Sequence, residues 1–235
     1  MSNIFTINEL LWLFYIIINY TFVLFAYKKW GKLGLLIFIP LAIVMANIQV
    51  NKLMVLFGVE TTMGNIAYGS IFLIEDILSE NYGKKYAKHV ISIGFATMIF
   101  TTIIMNIAIM INASANDTAQ VHLYALFKPF YRLTFASLLA YGVSAFIDIY
   151  SYQMIRNIWP SFKNIWIRNN LSTIFSQIID NIIFTVVAFA GVFEFKILIS
   201  IMFSTYFLKL IISTLDTPFV YVAAWWKKKG KIEEI

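Results

Sequence analysis

The chain is predicted to be all-α, a polytopic bundle of transmembrane helices, and three observations carry that expectation. Of its 235 residues, 60% are hydrophobic and 13% charged, against roughly 25% charged in a soluble domain. Mean hydropathy is +0.78. The apolar residues lie in long runs without the period-two alternation of barrel strands. Hydrocarbon tolerates only structures that satisfy their own backbone, so those runs are read as helices.

Seven runs approach the roughly 20 residues needed to cross a core about 30 Å thick. They are Leu10 to Tyr27, Leu33 to Phe57, a short Asn65 to Ser79, Val90 to Ile111, Pro129 to Ile155, Asn170 to Phe193 and Ile197 to Val222. The first lacks a basic leader and a small-residue cleavage site, so it reads as a retained helix rather than a signal peptide. Thirteen of the eighteen Lys and Arg residues fall in loops on one side, and only Lys128 and Lys196 in loops on the other. By the positive-inside rule this puts the N-terminus outside and the C-terminus in the cytoplasm of a cell (plasma or inner) membrane protein. No linker or repeat divides the chain, so one domain is expected: an accessory first helix over 1–30, a six-helix body over 31–226 and a basic tail over 227–235.

Several function classes fall away. With no cysteine there is no thiolate nucleophile, thiolate metal site or disulfide. Neither H-E-x-x-H nor G-x-S-x-G is present, and His89 and His122 sit at span edges away from any mid-membrane nucleophile. A paired-aspartate protease would need Asp148 and Asp180 at one depth. No phosphate-binding loop occurs, so nucleotide hydrolysis would belong to a separate module. The net charge of +6 sits in short loops and calls for no nucleic acid. No enzyme activity, metal or cofactor is expected.

What remains is a set of polar residues in costly places. A charge at mid-bilayer costs about 2.5–3.5 kcal/mol on insertion scales and usually faces a bundle interior or cavity. Helical spacing groups them into stripes: Phe72, Asp76 and Glu80; Ser137, Tyr141, Ser144 and Asp148; Thr173, Gln177, Asp180 and Phe184; Thr205, Lys209, Ser213 and Asp216. With a rise of about 1.5 Å per residue, Asn47, Asp76, Gln177, Asp180 and Lys209 fall near mid-membrane. Glu80, Asp148, Arg168 and Asp216 fall toward the cytoplasm, and Lys52 and Arg132 toward the outside. A central polar layer between two charged layers suits a substrate site with a gate on each side. The same residues could instead be neutralising pairs that fix helix packing, such as Asp180 with Lys209, or Asp148 or Glu80 with Arg168.

From about Ala46 to Tyr221 these segments resemble the queuosine precursor transporter family, also described as a predicted vitamin uptake transporter family. The pieces are Ala46-Asn47-Ile48 with Lys52; Asp76, Glu80, Tyr82 and Gly83 in the order D-x-x-x-E-x-Y-G; and Arg132 followed by Ser137, Tyr141 and Asp148. Then come Arg168, Ser172, Thr173, Gln177, Asp180 and Phe184, and Lys209 before Pro218 and Tyr221. Ala145 stands where many members carry Gln, and no role of that Gln carries over. The resemblance implies uptake of queuine or a 7-deazaguanine precursor. Such a base presents a ring N–H beside an exocyclic amine, which one carboxylate accepts, and a carbonyl that needs a donor. Asp76 or Asp180 would supply the carboxylate; Asn47, Gln177 or Lys209 the donor; Phe72, Tyr141 or Phe184 a stacking face, with Ser137 on the same stripe. Glu80, Asp148, Arg168 and Asp216 would serve gating or ion pairing on the cytoplasmic side, and Lys52 and Arg132 at the outer mouth. Alternatives are transport of another vitamin-like or nucleobase compound, or service as the binding subunit of a separate ATPase. Besides the bilayer and the small molecule, a second copy of the chain is a conceivable partner.

Overall fold

A computed structural model describes residues 6–50, 52–128, 130–191 and 194–234. Asn51, Pro129 and Phe193, which the hydropathy reading places in spans, lie outside them. Helix α1 (Ile7–Gln49) is followed by strands β1 (Leu53–Leu56) and β2 (Val59–Thr62), then α2 (Asn65–Asn81) and α3 (Lys84–Met110). A short α4 (Gln120–Phe127), α5 (Phe130–Ile158), a 3₁₀ turn (Phe162–Asn164), α6 (Ile165–Phe189) and α7 (Phe195–Lys228) complete the chain. Five helices, α1, α3, α5, α6 and α7, are long and apolar enough to cross a membrane. The protein is an all-α multi-pass membrane bundle.

Helix α1 supplies two of the predicted passes, because it reverses at Gly31. That residue has φ 55° and ψ −139°, a combination open essentially to glycine alone. The arms 7–30 and 32–49 run antiparallel, with Tyr15 Oη donating to Gln49 Oε1 at 2.9 Å across them. α2, with 17 residues, fills the place of the short third span.

The predicted second span, Leu33 to Phe57, runs too far. Its helix ends at Gln49, and the apolar Leu53–Leu56 that extended the run forms the first strand of a hairpin. Phe57 and Gly58 both have positive φ (51° and 78°), as a two-residue type I′ hairpin turn requires, and Leu56 pairs with Val59. β-branched Val55, Val59, Thr61 and Thr62 suit the strands. Lys52 therefore lies beyond the helix, exposed at the hairpin base, where its backbone carbonyl accepts from Met63 N at 3.0 Å. Glu9 fastens this hairpin to the start of α1: it completes a capping box with Thr6 and accepts from Phe57 N at 2.8 Å.

The core is shared by all the long helices, with the α5–α6 interface the most extensive and α2 packed against α1, α3, α5 and α7. α3 keeps most of its apolar surface outward; Ile99, Phe100, Ile103 and Ile107 are exposed, as residues facing lipid should be. The arm 7–30 packs directly on the body. Tyr20 is fully buried, with its hydroxyl on Ile212 O at 3.2 Å, and Asn19 Nδ2 donates to Ser70 Oγ at 2.6 Å. Gly69 permits this close approach, since a Cβ there would stand 2.7 Å from the Tyr20 hydroxyl and 2.5 Å from Ile212 Cγ2. After α7 the chain folds back: Glu233 N donates to Lys28 O at 3.0 Å, and Glu234 meets Lys227 and the Tyr82 hydroxyl.

Alanine at Gly31 should cost about 1–3 kcal/mol, because a side chain meets both the positive φ and the Glu234 carboxylate. Thermal unfolding in detergent checks this, with a lowered midpoint expected for Gly31→Ala and a smaller fall for Gly58→Ala, whose positive φ also strains a side chain but whose Cβ would meet open space.

Candidate functional site

Three polar layers follow one another through the bundle. The outermost surrounds a narrow cavity of about 10 Å³, about the room of one water molecule. Asn65, Tyr68, Gly69 and Phe72 of α2, Gln177 of α6, and Lys209, Ile212 and Ser213 of α7 line it. Asn65, Tyr68 and Phe72 share a helix face by their spacing of three and four, as do Lys209 and Ser213. Lys209 forms an ion pair with Asp180, whose other oxygen accepts from Ser144 Oγ at 3.1 Å. The Gln177 side chain is buried and its Oε1 has no hydrogen-bond partner. A cation, an amide oxygen, a phenol and an aromatic face thus border one small space.

Below it lies a buried acidic layer. Asp76 is 1% exposed and neither of its oxygens has a partner. It is within electrostatic reach of Glu75, Asp148 and Asp216. Tyr141 Oη donates to Glu75 Oε1 at 3.3 Å, Ser176 Oγ to Asp148 Oδ1 at 2.9 Å, and Asn169 Nδ2 to Asp216 Oδ1 at 2.7 Å.

The third layer closes the end of the bundle where α2 finishes. Arg168, wholly buried, holds Glu80 with two bonds, Nη2 to Oε1 at 2.6 Å and Nε to Oε2 at 2.9 Å. Its remaining Nη1 donates to Trp159 O and Ser161 O at 3.1 and 3.0 Å. Tyr152 Oη donates to Glu80 Oε2 at 2.9 Å. Arg156 donates to Ser79 O and Glu80 O at 2.8 and 2.9 Å, so α2, α5 and α6 meet in one charge-assisted network. Fork-to-fork geometry of this kind is the strong form of a carboxylate–guanidinium pair.

Of the predicted residues, the cavity gathers Phe72, Gln177 and Lys209, with Asp180 joined to Lys209. Tyr141 and Asp76, expected beside the substrate, instead sit with the acidic layer. Asn47 lies off the cavity lining, and its amide donates to Ile43 O of its own helix at 2.8 Å. Ser137 stands by the Tyr68 hydroxyl. Phe184 packs edge-on to Phe189, ring centroids 5.8 Å apart, beyond the cavity lining. Arg168 takes Glu80, while Asp148 and Asp216 face serine and asparagine rather than a cation. Arg132 is exposed and donates to Val187 O and Ala190 O at 2.9 and 2.6 Å, capping the negative end of α6. Tyr68, Tyr152, Arg156 and Asn169 were missed. Tyr68 lies four residues before Phe72 on an already polar stripe, and Asn169 starts the series Asn169, Thr173, Ser176 and Asp180, so both were within reach of spacing alone.

The closure at Glu80 and Arg168 makes a measurable statement. The chain has no cysteine, so Gln177→Cys introduces a single reporter for membrane-impermeant maleimide. Adding Arg168→Ala should raise its labelling from the cytoplasmic side by about tenfold or more, equivalent to about 1.4 kcal/mol of gate stability. Unchanged labelling in inverted vesicles would show that Glu80 and Arg168 do not close the path.

Comparison with known proteins bears on the same segments. Residues 62–223 match the family model described as "Putative vitamin uptake transporter". A relative from Bacillus subtilis (strain 168), named "Probable queuosine precursor transporter", is 39% identical over 216 residues, covering 92% of this chain and 94% of its own length. No solved structure matches. The matched region runs from the end of the hairpin to α7 and contains the cavity, the acidic layer and the Glu80–Arg168 network, and by that match the chain belongs to the putative vitamin uptake transporter family.

Proposed function

We propose that the chain imports a queuosine precursor, queuine or a related 7-deazaguanine base, across the cell membrane, with its N-terminus outside and its C-terminus in the cytoplasm. The observation that carries the reading is the cavity between α2, α6 and α7, bordered by Gln177, Lys209, Tyr68 and Phe72, in a chain similar to a protein bearing that transporter name. Those groups suit a flat, donor-rich heterocycle. Phe72 offers a stacking face, Asp180 an acceptor for adjacent N–H groups, and Lys209 a donor for a ring carbonyl. At about 10 Å³ the cavity is far too small for a nucleobase. Binding therefore requires the helices around it to part, and the Lys209–Asp180 pair is the contact a ligand would replace. Alternating access then opens the cavity outward and, with release of Glu80 from Arg168, inward. No step of this scheme makes or breaks a covalent bond.

Uptake of labelled queuine by cells expressing the chain tests the function. Saturable uptake, reduced by excess 7-deazaguanine analogues and less by guanine, is expected; absence of saturable uptake would remove the reading. Lys209→Ala should weaken apparent affinity by about 10- to 100-fold, the worth of about 1.5–3 kcal/mol for a charged hydrogen bond. Equal competition by guanine would instead favour a general nucleobase transporter.

A further inference from the structure

The interior holds more negative charge than its cations balance. Among the described residues, the buried ion pairs join Lys209 to Asp180, and Arg168 with Arg156 to Glu80. Glu75, Asp76, Asp148 and Asp216 have no basic partner, although each is 0–1% exposed. The groups facing Asp76 are Tyr20 from α1, Glu75 and Glu80 from α2, Asp148 and Tyr152 from α5, and Asp216 from α7. On the α6 side stands Arg168, already committed to Glu80. The ionisable residues of α3, Lys84, Lys85, Tyr86, Lys88 and His89, lie at its cytoplasmic end and are exposed or half-buried. Four carboxylates cannot share a low-dielectric interior as anions without compensation.

A second observation points to what compensates them. Every buried side-chain atom left without a partner among the described residues is an oxygen: Glu75 Oε2, both oxygens of Asp76, Asp216 Oδ2, and those of Asn169, Thr173, Gln177 and Asn181. No nitrogen is left unmet. Asn169, wholly buried, gives its Nδ2 to Asp216 Oδ1 and leaves Asp216 Oδ2 without a donor. Four of the unmet atoms are carboxylate oxygens, of Glu75, Asp76 and Asp216, that meet no donor. None of the four carboxylates lines the cavity, so they stand apart from the proposed substrate site. No group of three or more Asp, Glu or His among the described residues is arranged to hold a metal ion. Helix α5 also links the layer to the cavity. Lys209 pairs with Asp180, which accepts from Ser144 Oγ, and Tyr141, one turn before Ser144 on α5, carries its hydroxyl to Glu75 at 3.3 Å, so α5 spans both layers.

We propose that Asp76, Asp148 and Asp216, with Glu75, form a proton-carrying site one layer below the substrate cavity, which makes the chain a proton symporter. The proposal rests on the import function proposed above. Protons enter from the outside through the opened cavity and leave when Glu80 parts from Arg168. The carboxylates take no net charge through the cycle's closed state, and each proton delivered to the cytoplasm is replaced from outside.

The full chain in proteoliposomes, with a pH-sensitive dye in the lumen and labelled queuine outside, tests this. Queuine addition should acidify the lumen. An acid-outside gradient should drive accumulation, and a protonophore should abolish it while leaving queuine exchange in place. Asp76→Asn, Asp148→Asn and Asp216→Asn should each lower the ratio of gradient-driven accumulation to exchange by about fivefold or more. If the unaltered chain exchanges queuine but its accumulation ignores the pH gradient, or follows a sodium gradient instead, proton coupling is overturned and the import function stands. If the unaltered chain shows no exchange, the import function falls and the coupling with it. The lumen measurement on the unaltered chain decides the matter even where a variant fails to fold.

Discussion

Inside a bilayer no water is available to solvate a charge, and the arrangement of this protein follows from how its buried ionisable groups meet that constraint. Lys209 and Arg168 are each spent on one carboxylate, Asp180 and Glu80, at two different depths. Those pairs tie helices together, α6 to its successor α7 in the first and the more distant α2 to α6 in the second. A buried pair of this kind need not stabilise the fold relative to apolar packing, but breaking it by removing one partner costs about 3–5 kcal/mol. Contacts that costly to break and that specific in geometry serve well where two states must be kept apart. The acidic layer between them has no such partners, which is why it is the chemically unfinished part of the interior.

The depth order also assigns tasks without overlap. Aromatic and amide groups surround the cavity, carboxylates fill the layer below, and the guanidinium network closes the end. α2 contributes to all three through Phe72, Asp76 and Glu80, spaced four apart on one face. That helix is short and almost wholly buried, and Gly69 lets α1 and α7 close on it at the level of the cavity.

Much of this was legible in the residues. Long apolar runs set the helices, and the spacing of Gln177, Asp180 and Lys209 placed them in one layer. What was not legible had physical reasons. Hydropathy does not distinguish the end of a span from a hairpin made of Leu53 to Leu56, because both are apolar; the turn signal was the Phe57-Gly58 step. Depth counted along straight helices put Asp76 level with Lys209, whereas Asp76 stands one turn beyond Phe72 of the cavity, near Glu75, Asp148 and Asp216. Arg132 and Asn47 each donate to a backbone carbonyl, a contact that no pattern of side chains reveals. Nor could the pattern choose which carboxylate Arg168 would take, since Asp148 and Glu80 both lie at the right depth.

Helix α5 is fastened by arginines to different neighbours at its two ends. Arg132 binds the last carbonyls of α6 on the outer side, while Arg156 binds Ser79 and Glu80 of α2 on the cytoplasmic side. If the inner attachment lets go while the outer one holds, the helix cannot slide along its axis. Since α5 packs along α6 over the most extensive interface, the two helices would part from α2 together, most widely near Tyr152, some twenty residues from Arg132.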